Sequence, residues 1–224
     1  MIRELVKRVP LLREARRAWV NMRFPGSGRY WETRYEQGGT SGDGSYGELA
    51  QFKAEVLNAF VAEHRVESVV ELGCGDGNQL ALARYPRYIG LDVSADAIQR
   101  CISAFVDDTT KSFFLYDPHC FHDAAKVLQA DCALSLDVIY HLVEDEVYDR
   151  YLAHLCAAAR RFVIIYSSDR DPSGPLALRD AAHVRHRHVT ADIATRFPEL
   201  RQIAHVPNRY PDRTFASFFM YERA

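Results

Sequence analysis

The chain has 224 residues, 48% of them hydrophobic and 26% charged, with a formal net charge of −2. That length fits one domain with a full core, and the near-neutral balance argues against a nucleic-acid partner. No apolar run approaches the roughly 18 residues of a membrane span, and the N-terminus lacks a signal peptide's apolar core; a soluble cytoplasmic protein with no stable membrane insertion is expected. Cys74, Cys101, Cys120, Cys132 and Cys156 are odd in number and form no CxxC pair, which suits reduced thiols.

Residues 1–23 carry seven Lys/Arg against two Glu. Ile2, Leu5, Val6 and Val9 recur at helical spacing, and Leu11, Leu12, Ala15 and Trp19 extend the stripe beyond Pro10. A basic amphipathic helix can lie on an anionic membrane surface. Packing against the domain, or against a second subunit in a homodimer, is the expectation here. Residues 25–47 (PGSGRYWETRYEQGGTSGDGSYG) hold seven glycines and predict a loop with a mobile tip. The division expected is therefore 1–47, basic helix and Gly-rich segment, and 48–224, the main domain.

ELAQFKAEVLNAFVAEH (48–64) places Leu49, Phe52, Val56, Leu57 and Phe60 on one helical face. Apolar runs then alternate with helical stretches. SVVEL (68–72), YIGLD (88–92), FFLY (113–116), CALSL (132–136) and FVIIY (162–166) predict strands. ALARY, SADAIQRCISAF and VYDRYLAHLCAAAR predict helices between them. That alternation implies an α/β fold with a doubly wound, mostly parallel sheet. The tail differs: LRQIAHV (200–206) and TFASFFMYER (214–223) flank a short loop, which makes them an antiparallel hairpin.

VVELGCGDGNQL (69–80) ends an apolar run in an acid and follows it with three glycines on alternate positions. In a doubly wound sheet, ligands bind outside the carboxyl ends of the strands, and glycines there let the backbone turn and approach a ligand. A dinucleotide fingerprint needs its third glycine at position 78, which is Asn78; that glycine falls at Gly77. Glu71 suits a ligand carrying an amine and no phosphate. Asp92, closing YIGLD, is placed to accept both hydroxyls of a ribose.

These residues resemble the class I S-adenosylmethionine-dependent methyltransferases: VVELGCGDGNQL is similar to their first motif and YIGLDVSADAI to their acidic second-strand motif. The resemblance covers about residues 60–224 and implies a Rossmann-like, seven-stranded sheet. It implies a cofactor site of Glu71, Gly73, Cys74, Gly75, Asp76, Gly77, Asn78, Asp92, Val93, Asp117 and Leu136. It also implies that donor and acceptor meet at the end of the fourth strand, ALSLDVIYHLVED. There Asp137, Tyr140 and His141 lie just past the strand, and His141, the group titrating nearest neutrality, is the expected general base for a hydroxyl. His186 is the next candidate.

The following strand ends VIIYSSDRD, so Asp137 and Asp169, with Asp171 as a third acid, could converge on Mg²⁺. Catechol-type O-methyltransferases are similar in this respect, but their lysine is replaced here by Tyr140. HVRHRHV (183–189) places His183, Arg185 and His186 as acceptor-pocket residues beside Tyr140. Nothing resembles the loops that hold a nucleic-acid base. A closer similarity to bacterial glycan O-methyltransferases of the methylmannose-polysaccharide type implies a small-molecule or oligosaccharide hydroxyl as acceptor. It also makes the Gly-rich segment a lid, with Tyr46 near the methionine end. An NAD-dependent oxidoreductase and a non-catalytic cofactor-fold module are the alternatives.

Overall fold

The computed structural model describes residues 24–170 and 181–224. The basic helix expected over 1–23 and the third acid, Asp171, lie outside the described residues. Seven strands form one sheet: β1 (Val69–Leu72), β2 (Tyr88–Asp92), β3 (Lys111–Leu115), β4 (Ala130–Leu136), β5 (Ala159–Ser167), β6 (Leu200–Val206) and β7 (Ser217–Arg223). Their order is β3-β2-β1-β4-β5-β7-β6. The first five run parallel, and β7 pairs antiparallel with both β5 and β6. The Rossmann-like sheet and its closing hairpin are those expected.

The helices are α1 (Ser27–Glu36), α2 (Gly47–Glu63), α3 (Ala95–Ala104), α4 (Asp145–Ala158) and α5 (Val189–Arg196). Successive strand residues point to opposite faces, so a strand covered on both sides must be largely apolar. β1 is buried at all four positions. Val69, Ile164 and Phe218 join Phe52, Leu57 and Phe60 of α2 in one core cluster. Their neighbours Val70, Val163, Ile165 and Phe219 join Leu152 and Leu155 of α4 in the other. The sheet is sealed on both faces, and β1 and β4 lie side by side at its centre. From there the chain winds to β2 on one side and to β5 on the other, which opens a crevice at their carboxyl ends.

Two stretches differ from expectation. Residues 25–47 are not a continuous loop, because Ser27–Glu36 forms α1. The glycines fall mostly around that helix, with Gly26 before it and Gly38 and Gly39 after it, so they punctuate the segment rather than dissolve it. ALARY forms no helix; β1 and β2 are joined through a single 3₁₀ turn, Leu80–Leu82. Among the described residues no helix is long and apolar enough to cross a membrane.

Tyr151 of α4 locks this frame under the crevice. Its hydroxyl lies 2.7 Å from the Leu72 carbonyl oxygen and 2.7 Å from Ser135 Oγ, both buried. Tyr151→Phe leaves those groups short of a partner and is expected to lower unfolding stability by about 1–3 kcal/mol in urea titrations. A loss below about 0.5 kcal/mol contradicts the locking role.

Candidate active site

A cavity of about 410 Å³ opens at the carboxyl ends of β1, β2 and β4, within the size range of small-molecule sites. Its floor includes Gly73, Cys74 and Gly75 after β1, Asp92 and Val93 at the end of β2, and Asp117 after β3. Leu136, Asp137 and His141 follow from β4, while Trp31 and Tyr35 of α1 close it from the other side. Nine of the residues expected at the site therefore line one cavity.

The loop after β1 is shaped by its glycines. Gly73 and Gly75 have φ of 86° and 61°, where side chains are strained. A Cβ at Gly75 would collide with the Ser41 hydroxyl and lie 3.1 Å from Tyr35 Oη. Gly77 serves packing instead: a Cβ there would lie 3.0 Å from the Phe105 ring. Asp92, 6% exposed, binds this loop to β2. Its Oδ2 accepts from Gly75 N–H at 2.9 Å and its Oδ1 from Ser94 N–H at 2.9 Å. Burial raises its carboxyl above the usual range, while those donors pull the other way.

Glu71 does not line the cavity. Its side chain turns into the core, where Oε2 accepts from Tyr88 Oη–H at 2.6 Å, and burial pushes its carboxyl up to about 7. The strand's alternation puts it on the α2 face, away from the opening. Asp76, Asn78 and Tyr46 also stay outside the lining and fasten the roof. Asp76 Oδ2 accepts from Ser41 N–H at 3.0 Å and from Tyr46 Oη–H at 2.7 Å. Asn78 Nδ2 donates to Ser45 O at 2.6 Å. Burial opposes the ionisation of Asp76, but the donated hydrogen bonds outweigh it and hold its carboxyl low.

The end of β4 carries the polar chemistry. Asp137 has φ 60°, a left-handed conformation that a non-glycine residue keeps only when its surroundings hold it. Its Oδ2 pairs with Lys53 Nζ at 2.5 Å and its Oδ1 accepts from Tyr140 Oη–H at 2.8 Å. Lys53 was not singled out as a site residue from the sequence. The signal was a lysine inside the Leu49, Leu57 stripe at i, i+4 spacing, where a buried charge demands a partner. His141 Nδ1 donates to the His183 carbonyl oxygen at 2.9 Å, which leaves Nε2 as the free acceptor of a neutral ring. The ring lies edge-on to Trp31 at 4.9 Å and stacks on His183 at 5.3 Å. Burial pushes its pKa down to about 4, far from the near-neutral titration expected.

The metal pair does not assemble. Asp169 instead caps α5, with Oδ1 accepting from Thr190 N–H at 3.1 Å and Oδ2 from Thr190 Oγ1–H at 2.6 Å. Asp137 is already held by Lys53 and Tyr140. Among the described residues no group of three or more His, Cys, Asp or Glu could hold a metal ion, so those residues offer Mg²⁺ no fitting donor set. The His/Arg segment contributes mainly support. Arg185 donates to Val143 O at 2.8 Å and pairs with Asp145 at 3.0 Å. His186, 5% exposed, lies 2.6 Å through Nδ1 from Ser168 Oγ. His183 stacks on Tyr30 at 4.4 Å. None of these three is part of the cavity lining, because each is engaged by the loops behind it.

A family model described as a methyltransferase domain, Methyltransf_23, matches residues 46–217. No curated protein matches the sequence. Among solved structures, the N-methyltransferase NodS from Bradyrhizobium japonicum WM9, in complex with S-adenosyl-L-homocysteine, is 16% identical with a TM-score of 0.67. That likeness covers 88% of this chain and 98% of NodS. The magnesium protoporphyrin IX methyltransferase ChlM from Synechocystis PCC 6803, with bound SAH, is 16% identical with a TM-score of 0.61, covering 92% of this chain and 99% of ChlM. The methyltransferase domain of bacterial CtHen1-C is 18% identical with a TM-score of 0.60, covering 79% of this chain and all of that one. At such identities the likeness is one of fold. The family match spans the glycine loop, the end of β4 and most of the sheet, and the chain belongs to the class I methyltransferase family.

Proposed function

We propose that the protein transfers a methyl group from S-adenosylmethionine to a hydroxyl of an uncharged small molecule, with a sugar or glycan residue as the favoured acceptor. The carrying observation is His141: a buried, neutral imidazole lining the cavity, its tautomer set by the His183 carbonyl oxygen so that Nε2 can receive a proton. An alcohol is nearly unionised at neutral pH, and removing its proton as the new bond forms contributes about 10²–10⁴-fold in rate, toward the lower end for a base whose pKa is held down to about 4.

The residues present fit the cofactor. Asp92 keeps acceptor lone pairs for ribose hydroxyls at the cavity floor, Val93 offers apolar contact, and Asp117 has acceptor oxygens for an exocyclic amine. When bound, S-adenosylmethionine supplies an electrophilic methyl group. This chain's residues bind it, align the acceptor and take the proton. Asp137 accepts hydrogen bonds at the same strand end and serves to orient the acceptor. The lining includes Glu32, Asp92, Asp117 and Asp137, and among the described residues it includes no Lys or Arg. Such a lining disfavours carboxylate or phosphate acceptors and nucleic acid. Trp31 offers the acceptor a flat apolar wall.

Calorimetry with S-adenosylhomocysteine and with NADH tests the cofactor. The first should bind and the second should not. Gly75→Val should abolish binding, since the added side chain meets Ser41 and Tyr35 and strains a left-handed backbone. Asp92→Asn should weaken binding by about 1–3 kcal/mol. Undiminished affinity in both variants contradicts the assignment.

A screen of hydroxylated metabolites and oligosaccharides with labelled methyl donor identifies the acceptor. With that substrate, His141→Ala should lower turnover by about 10²–10⁴-fold while changing S-adenosylhomocysteine affinity little. The ring is neutral above about pH 4, so the wild-type rate should show no histidine limb near pH 6.5. The same shift ties stability to pH. The folded pKa is below the unfolded value, so the ring's contribution is complete above about pH 6.5 and is lost as pH falls toward 4. NMR titration of the His141 ring should give a midpoint near 4. A midpoint near 6.5 refutes the buried, neutral base.

A further inference from the structure

Lys53 occupies a place that lysine seldom takes. Its side chain is 1% exposed, it lies on α2 between Leu49 and Leu57, and its Nζ sits 5.4 Å from the centre of the Tyr166 ring. A buried ammonium without a counter-charge is costly, and here the counter-charge is Asp137, with Oδ2 at 2.5 Å. Asp137 is fixed on its other sides as well. Tyr140 donates to Oδ1, and the backbone of Gly44 passes so close that a Cβ there would lie 2.7 Å from Oδ2. Asp137 is nevertheless not sealed off: its side chain is 12% exposed and the residue lines the cavity together with Gly73 and Leu136.

We propose that Lys53 is a positioning residue that holds Asp137 in the cavity as a charge-compensated carboxylate, and that this compensation sets the enzyme's selectivity between S-adenosylmethionine and S-adenosylhomocysteine. The proposal rests on the cofactor reading above. The two ligands differ at sulfur: the donor carries a sulfonium positive charge, which is lost when the methyl group leaves. A bare carboxylate beside the reacting centre favours the charged reactant over the transition state, in which that charge is dispersing, and so slows the reaction. Paired with Lys53, Asp137 keeps its hydrogen-bond acceptors and its geometry while the pair itself carries no net charge, although Glu71, buried nearby, also faces Lys53. The pair lets an acid sit at the end of β4 without trapping the donor.

Calorimetric affinities of S-adenosylmethionine and S-adenosylhomocysteine, measured for wild type, Lys53→Met, Asp137→Asn and the double variant, test this. Lys53→Met bares the carboxylate and should raise the donor-to-product affinity ratio about tenfold. Asp137→Asn bares the ammonium and should lower the ratio about tenfold. The double variant should return it to within about twofold of wild type, because the two charges act as a unit. Opposite signs in the single variants cannot arise from packing alone. Ratios that stay within about twofold in every variant, with both affinities moving together, overturn the proposal. If Lys53→Met fails to fold, Asp137→Asn and the double variant still give a lowered ratio and its restoration, or refute them. A wild type that binds neither ligand removes the cofactor reading and the proposal with it. A wild type that binds both, with unmoved ratios in the variants, removes the role of Lys53 alone.

Discussion

The hydrogen bond from Gly75 N–H to Asp92 Oδ2, 2.9 Å long and buried, ties the glycine loop after β1 to the end of the neighbouring strand β2. Parallel strands leave backbone groups unpaired where they end, and burying those groups requires partners. Here the partner is a carboxylate on the next strand, itself satisfied at its second oxygen by Ser94 N–H. The bond depends on Gly75 holding a left-handed conformation, and Gly75 in turn depends on the roof leaving it room. Removing any one of these releases the others.

The roof is held with the same economy of groups. Asp76 Oδ2 receives both the Ser41 amide and the Tyr46 hydroxyl, while Ser41 Oγ accepts from Asp76 N–H and meets Tyr35 Oη at 2.8 Å. Arg100 of α3 donates to the carbonyl oxygens of Gly39 and Tyr35 at 2.6 and 2.8 Å. At the other end of α1, Ser27 is bound through N–H and Oγ to the Glu144 carboxylate. α1 is therefore anchored at one end to the loop after β1 and at the other to the segment after β4. It places Trp31 edge-on against His141, and both line the cavity.

The fold was legible because strands buried on both faces must be predominantly apolar, and VVEL, YIGLD and FVIIY are, the first two with a single acid each. Much of the floor was legible for a related reason: glycines and acids at the ends of such runs serve backbone turns and polar ligands. What could not be read was the partner each polar group would take. Glu71 carries the right charge in the right motif, but strand alternation turned it to Tyr88. Asp169 stands at the end of β5 as expected, yet Thr190, 21 residues later, claims both of its oxygens. Lys53 meets its partner, Asp137, 84 residues further along the chain, a pairing that no local pattern announces. α1 was hidden because seven glycines outweigh ten helical residues in a composition count, although most of them lie around the helix.

Where the cofactor sits is measured directly by a crystal structure with S-adenosylhomocysteine. The expected result is ribose hydroxyls on Asp92, the adenine between Val93 and Asp117, and the sulfur near the end of β4, with Trp31 and His141 across from it. A ligand bound outside this cavity, or inside it with the ribose away from Asp92, contradicts it.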